Sequence, residues 1–221
     1  MVKIQTRNLP WIVVLLVLLI DQTTKIIVKT NMVLGQEIKV LGDWFRIFFI
    51  ENEGMAFGMQ FSGEYGKLIL SIFRIIAVFF IAWYIHKLIK QRAHKGLIVC
   101  ISMIMAGAIG NIIDSAFYGM IFSHSFGQVA EFLPEGGGYA TFLHGHVVDM
   151  LYFPVLTGTF PEWFPFWSGQ QFIFFRPVFN IADTSITMGV LVLLIFQKKF
   201  FAFENQAQEP APAAQRQEEE I

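Results

Sequence analysis

The chain holds a single cysteine, Cys100, which excludes an internal disulfide framework and any CxxC redox or metal motif. Charge is also scarce. Asp, Glu, Lys and Arg make up 15% of 221 residues, well below the ~25% of an ordinary soluble domain. Their balance, 16 Lys+Arg against 17 Asp+Glu, leaves no basic field to hold nucleic acid. No repeat recurs along the chain, which weakens an inverted-repeat transporter reading. What is abundant is apolar: 55% hydrophobic residues and a mean hydropathy of +0.55. The composition is that of an integral membrane protein.

A helix needs about 20 apolar residues to cross a bilayer. Four stretches qualify, at about 9–30, 67–89, 96–117 and 178–196. The predicted class is therefore an all-α membrane protein with four transmembrane helices. Lys3 and Arg7 precede the first span; Lys87, Lys90, Arg92 and Lys95 fill the short link between the second and third; Lys198 and Lys199 follow the fourth. The two long connections, about 31–64 and 118–177, carry only Lys39, Arg46 and Arg176 among them as flanking cations. The positive-inside rule then puts both termini and the short link in the cytoplasm and both long loops outside. Asp21-Gln-Thr-Thr-Lys25 follows the first apolar run where a cleavable leader would need small residues, so the first helix reads as uncleaved.

In the first loop, Glu37-Ile-Lys-Val40 alternates, Leu41-Gly-Asp43 can turn, and Trp44-Phe-Arg-Ile-Phe-Phe-Ile50 is β-branched and aromatic. That pattern predicts a small external sheet. The second loop is rich in Phe, Trp, Gly and Pro, and its runs at 160–167 and 172–175 suit the water–lipid boundary. Residues 1–203 read as one membrane domain, and 204–221, rich in Gln, Glu, Pro and Ala, as a disordered tail.

Charges within spans cost roughly 2.5–3.5 kcal/mol each on insertion scales, so each marks a candidate site. Counted from the cytoplasmic cations at ~1.5 Å per residue, Asp21, Lys25, Arg74, Asp114 and Asp183 all lie about 21–28 Å in. Polar groups of all four helices thus gather at the outer end, above an apolar inner half. Asp21 and Lys25 are spaced i,i+4 and can pair. Asn111 and Asp114, and Asn180 and Asp183, are spaced i,i+3, so each Asn shares the face of its Asp; interhelical hydrogen bonding alone would also explain the asparagines. Ala106, Gly107, Ala108 and Gly110 permit close backbone approach.

Asp149, in His144-Gly-His-Val-Val-Asp149, lies where the second loop returns to the fourth helix. Two carboxyls close together in a poorly solvated site share a proton, and one can take a proton from water while the other donates one. Asp149 and Asp183 are candidates for such a pair, although spacing alone does not bring them together. The other schemes fare worse. H-E-x-x-H, G-x-S-x-G and the Gly-x-Gly-Asp signature of presenilin-type proteases are missing. His144-x-His146-x-x-Asp149 is a weak zinc pattern, and a zinc protease is kept as an alternative testable with chelators.

Five pieces in order resemble the lipoprotein signal peptidase (type II signal peptidase) family of bacteria: Asp21-Gln-Thr-Thr-Lys25, Asn52-Glu-Gly-Met-Ala-Phe-Gly58, Gly107-Ala-Ile-Gly-Asn-Ile-Ile-Asp114, His146-Val-Val-Asp149 and Phe179-Asn-Ile-Ala-Asp183. The resemblance covers about 11–196. It implies a four-helix aspartyl protease of the inner membrane, cutting prolipoproteins before the lipid-modified cysteine at the outer face, and blocked by the antibiotic globomycin. It implies catalytic roles for Asp149 and Asp183. It also implies site-lining roles for Asp21, Lys25, Asn52, Gly54, Asn111, Asp114 and Asn180, with no metal and no cofactor. The expected partners are a lipidated prolipoprotein and membrane lipids, with no nucleic acid, and the expected state is a monomer.

Three positions depart from the family pattern: Ser115 stands where an arginine is usual, Met55 where a small residue is usual, and Met150 where Phe is common. The second loop exceeds the family minimum by insertions around 123–142 and 157–175. A small proton- or ion-coupled transporter is the alternative function, and a membrane scaffold that binds partners through its long loop is a third reading.

Overall fold

In a computed structural model, residues 5–52, 64–154, 156–174 and 177–208 are described. Four helices are long and apolar enough to cross a membrane. Helix α1 runs Leu9–Asn31, α2 Glu64–Lys90, α3 Lys95–Ile113, and, after a short helix α4 at Gly119–Ile121, α5 runs Ile181–Gln208. Pro10 sits in the first turn of α1, where its missing N–H costs nothing. The link between α2 and α3 is tight: Arg92 adopts φ +52°, and the Ala93 N–H closes on the Leu88 carbonyl at 3.0 Å. His94 then caps α3, its Nδ1 accepting from the Gly96 N–H at 3.0 Å.

Three boundaries differ from the sequence reading. The fourth span, expected from about 178, begins at Ile181, because Val178–Phe179 is taken up by a strand. The third helix does not continue regularly to 117; at Asp114–Tyr118 it widens into a π turn. Such bulges absorb an extra residue and re-aim side chains. The last helix extends to Gln208, into the stretch expected to begin a disordered tail; 209–221 lie outside the described residues.

The sheet is larger than the first loop alone could make. Strands β1 (Glu37–Leu41) and β2 (Phe45–Asn52) come from that loop as expected. Strands β3 (Val147–Tyr152) and β6 (Val178–Phe179) come from the second loop and complete an antiparallel sheet of order β1-β2-β3-β6. In the β2/β3 register Ile50 faces Asp149, and Asn52 faces Val147. The remaining strands, β4 (Leu156–Thr159) and β5 (Gln171–Phe174), pair with each other as a separate hairpin.

Small residues let α3 and α5 touch backbone to backbone. A Cβ added at Gly107 would stand 2.2 Å from the Ala182 carbonyl oxygen, and one at Gly110 would stand 2.7 Å from Asp21 Oδ2. At the end nearest the short link the helices pack through Leu88, Leu97, Ile98, Cys100 and Phe200. A second apolar cluster around Val14, Ile85, Met105 and Ala106 fills the middle. At the opposite end, Val28, Met32, Phe49, Tyr118, Phe122, Val148 and Met150 seal the helices against the sheet.

Candidate active site

The polar groups collect between these apolar layers and the sheet. Strand β3 carries Asp149, which is 3% exposed. Asn180, directly before α5, is the hub. Its Nδ2 donates to Asp149 Oδ1 at 2.7 Å, and its Oδ1 accepts from the Asp183 backbone N–H at 2.8 Å. The same Nδ2 reaches Asn111 Oδ1 and the Val148 carbonyl, each at 3.3 Å. Asn111 in turn donates through Nδ2 to Asp183 Oδ1 at 2.8 Å. Two asparagines thus lace the strand carboxyl to the helix carboxyl.

Asn52, at the end of β2, adds a donor to Asp149 Oδ2 at 3.3 Å. Burial, and then the charge of Asp183, push the Asp149 carboxyl up to about 7; the hydrogen bonds from Asn52 and Asn180 and the nearby Lys25 ammonium oppose that rise. Asp183 is half-buried, the more accessible of the two. Arg74 on α2 lies within electrostatic range of Asp183, Asp114 and Asp149. Gly54 and Met55 lie outside the described residues.

Behind the pair, fully buried, Lys25 Nζ sits between Asp21 Oδ2 at 2.9 Å and Asp114 Oδ2 at 2.8 Å, and donates to Asn111 Oδ1 at 3.1 Å. The i,i+4 pair expected from spacing is therefore a three-member bridge. Its acids hold the elements that bear the aspartates. Asp21 Oδ1 accepts the Ala182 N–H at 2.8 Å, at the N-terminus of α5, where a carboxylate is favoured by the helix dipole. Asp114 Oδ2 accepts the Val148 N–H at 3.3 Å, next to Asp149. Ser115 is buried and donates to the Asn111 carbonyl at 3.0 Å. Among the described residues no buried side-chain nitrogen or oxygen lacks a hydrogen-bond partner.

Sequence reasoning missed several members. Gln22 donates to Asp114 Oδ1 at 2.9 Å and accepts from the Tyr118 hydroxyl at 3.2 Å. Lys29, fully buried, pairs with Glu51 and donates to Ser125 Oγ at 3.0 Å. Lys29 follows Lys25 by four residues, so the helical period already put it on the same face; a lysine at a helix end reads instead as a cation reaching for water. The two loop histidines part company. His146 Nδ1 lies 3.4 Å from Glu51 Oε2, and His144 Nδ1 lies 2.9 Å from the Phe142 carbonyl oxygen. Among the described residues no group of three or more His, Cys, Asp or Glu is placed to hold a metal.

This arrangement can be set beside known proteins. The family described as signal peptidase (SPase) II matches residues 13–199. The chain belongs to that family. The lipoprotein signal peptidase of Porphyromonas gingivalis is 53% identical over 183 residues, 82% of this chain and 79% of that protein. The Amoebophilus asiaticus lipoprotein signal peptidase is 41% identical, covering 83% of this chain and 75% of that protein. Among solved structures, a bacterial membrane enzyme determined in meso at 1.9 Å is 26% identical with a TM-score of 0.54, covering 84% of this chain and 90% of that one. A second, at 2.3 Å, has a TM-score of 0.56 at 24% identity over 92% and 94% of the two chains, a likeness of fold alone. As a signal peptidase II family member the protein is a peptidase with four membrane-capable helices, and these relatives do not favour the transporter alternative.

Proposed function

We propose that the protein is an aspartic endopeptidase that removes signal peptides from prolipoproteins, cutting before the diacylglyceryl-modified cysteine at the outer face of the bacterial inner membrane. The observation that carries this reading is the bridge of Asn180: one amide donates to the Asp149 carboxyl and accepts from the Asp183 backbone. A water between the two carboxyls attacks the scissile carbonyl. Asp183, the more accessible, takes the water's proton, and Asp149, held protonated up to about 7 by burial, gives its proton to the carbonyl oxygen. Collapse of the tetrahedral intermediate breaks the C–N bond, and the leaving amine of the lipidated cysteine takes up a proton from the pair. The two carboxyls act as one titrating unit.

Asn111, Asn180 and Asn52 hold the pair, while Asp21, Lys25 and Asp114 fix the strand and the helix that carry it. The short link and both termini face the cytoplasm, as the lysines and arginines require. The sheet end faces outward, and the acyl chains of the substrate stay in lipid while its apolar signal helix packs among the spans. A synthetic diacylated precursor incubated with the purified protein tests this. Mass spectrometry should find one cut immediately before the lipidated cysteine, and no cut in the same peptide without its lipid. Transport activity in proteoliposomes without any cleavage would overturn the reading in favour of a transporter.

A further inference from the structure

A second polar cluster stands beside the aspartates and is not used by the chemistry just proposed. Lys29 of α1 is fully buried between Glu51, Ser125 and two rings, its Nζ lying 4.9 Å from the Tyr139 centroid and 5.5 Å from that of Phe122. Ser125 Oγ donates to Glu51 Oε1 at 2.7 Å while accepting from Lys29. Burial alone would raise the Glu51 carboxyl, but His146, Lys29 and Ser125 bring it down to about 2. A serine beside a lysine suggests a nucleophile, yet here the ammonium is neutralised by a carboxylate and the hydroxyl proton is spent on the same carboxylate. With Lys29 fully buried and Ser125 1% exposed, neither side chain faces a substrate.

The cluster's place on the strand gives it another task. Glu51 and Asn52 are neighbours on β2, so their side chains leave opposite faces. One enters this cluster and the other reaches Asp149. Across the ladder Glu51 pairs with Val148 and Asn52 with Val147, at the very end of the strand. A strand end frays unless something ties it down. Ser125 is itself anchored, its carbonyl accepting the Leu34 N–H at 3.2 Å. His146, at the start of β3, is held by the Tyr139 hydroxyl, which accepts its backbone N–H at 2.6 Å.

We propose that Lys29, Glu51 and Ser125 form a positioning clamp that fixes the end of β2 so that Asn52 keeps its hydrogen bond on Asp149. Ser125 comes from the second loop, in the stretch expected to be an insertion, and closes the clamp from outside the four-helix frame. The proposal rests on the aspartate reading above.

Because Asn52 favours the ionised Asp149, against the like charge of Asp183 and with the help of Lys25 and Arg74, its loss lets the Asp149 carboxyl hold its proton to higher pH. The test is a cycle of purified enzymes on the lipidated precursor: wild type, Asn52→Ala, Lys29→Met/Glu51→Gln, and all three changes together. Exchanging both ions for neutral groups leaves no unpaired buried charge, so the fold should survive. The clamp predicts that the double variant moves the alkaline limb of the kcat/KM profile upward by about one pH unit. It should also lower kcat about tenfold at neutral pH, with KM within about twofold. The triple variant should match Asn52→Ala alone. Should the double variant lose its helical circular dichroism, Ser125→Ala must show the same upward shift, smaller in size. Full additivity in the triple variant, or a wild-type profile in a folded clamp variant, overturns the proposal. A wild-type enzyme that leaves the precursor uncut overturns the aspartate reading itself.

Discussion

The two ends of the same four helices solve opposite problems. Near the short link, Leu88, Leu97 and Ile98 are at most 1% exposed and interlock with Phe200. Near the sheet, Asp21, Lys25 and Asp114 are equally buried, yet every one is an ionisable side chain. Apolar packing needs only shape, and its members can be exchanged at modest cost. A buried ion bridge is held up by its completeness, since each acid faces Lys25 and also a backbone N–H of the element it positions. The polar end holds a geometry, whereas the apolar end holds the bundle.

Substitutions can break that contrast. The largest effect belongs to Asp149→Asn and Asp183→Asn, each expected to lower single-turnover cleavage of a lipidated precursor by about 10³-fold or more, while the protein still inserts and keeps its helical signal. Next comes Lys25→Met, which leaves two buried carboxylates without their cation. Unfolding in detergent should show a loss of about 3–5 kcal/mol, and cleavage should fall with it because β3 and α5 lose their common anchor. At the other end, Leu97→Ala should cost about 2 kcal/mol by the same unfolding measurement and leave kcat/KM unaltered below the melting range. The smallest effect sharpens the point. Lys39 and Asp43 also form an ion pair, but an exposed one, and Lys39→Ala should change neither the melting temperature nor the cleavage rate.

Much of the charged end was legible in the chain. The depth count put polar residues of four helices at one level, and the i,i+3 spacing matched Asn111 to Asp114 and Asn180 to Asp183; in the fold their side-chain amides donate instead to Asp183 and Asp149. Those signals are local, within one helical turn. What escaped is non-local. The second loop read only as a long, aromatic-rich external connection because β3 and β6 are defined by partners: Ile50 pairs with Asp149 and Leu151 with Phe179, and neither match is visible in either segment alone. Lys29 and Glu51 escaped for the same reason, since their contacts depend on Ser125 arriving from the distant second loop. The π turn at Asp114–Tyr118 leaves no mark in composition; it is tied by the Gly145 N–H on the Ser115 carbonyl at 2.8 Å.

The pH dependence of kcat/KM for the wild-type enzyme on a lipidated precursor puts the paired carboxyls to the most direct trial. Burial and the neighbouring Asp183 charge raise Asp149 to about 7, so its acidic form, present below that value, is lost as pH rises through it. The rate should decline on the alkaline side with an apparent pKa near 7. A rate that stays flat from about pH 6 to about pH 9, well past the titration of such a pair, would contradict it.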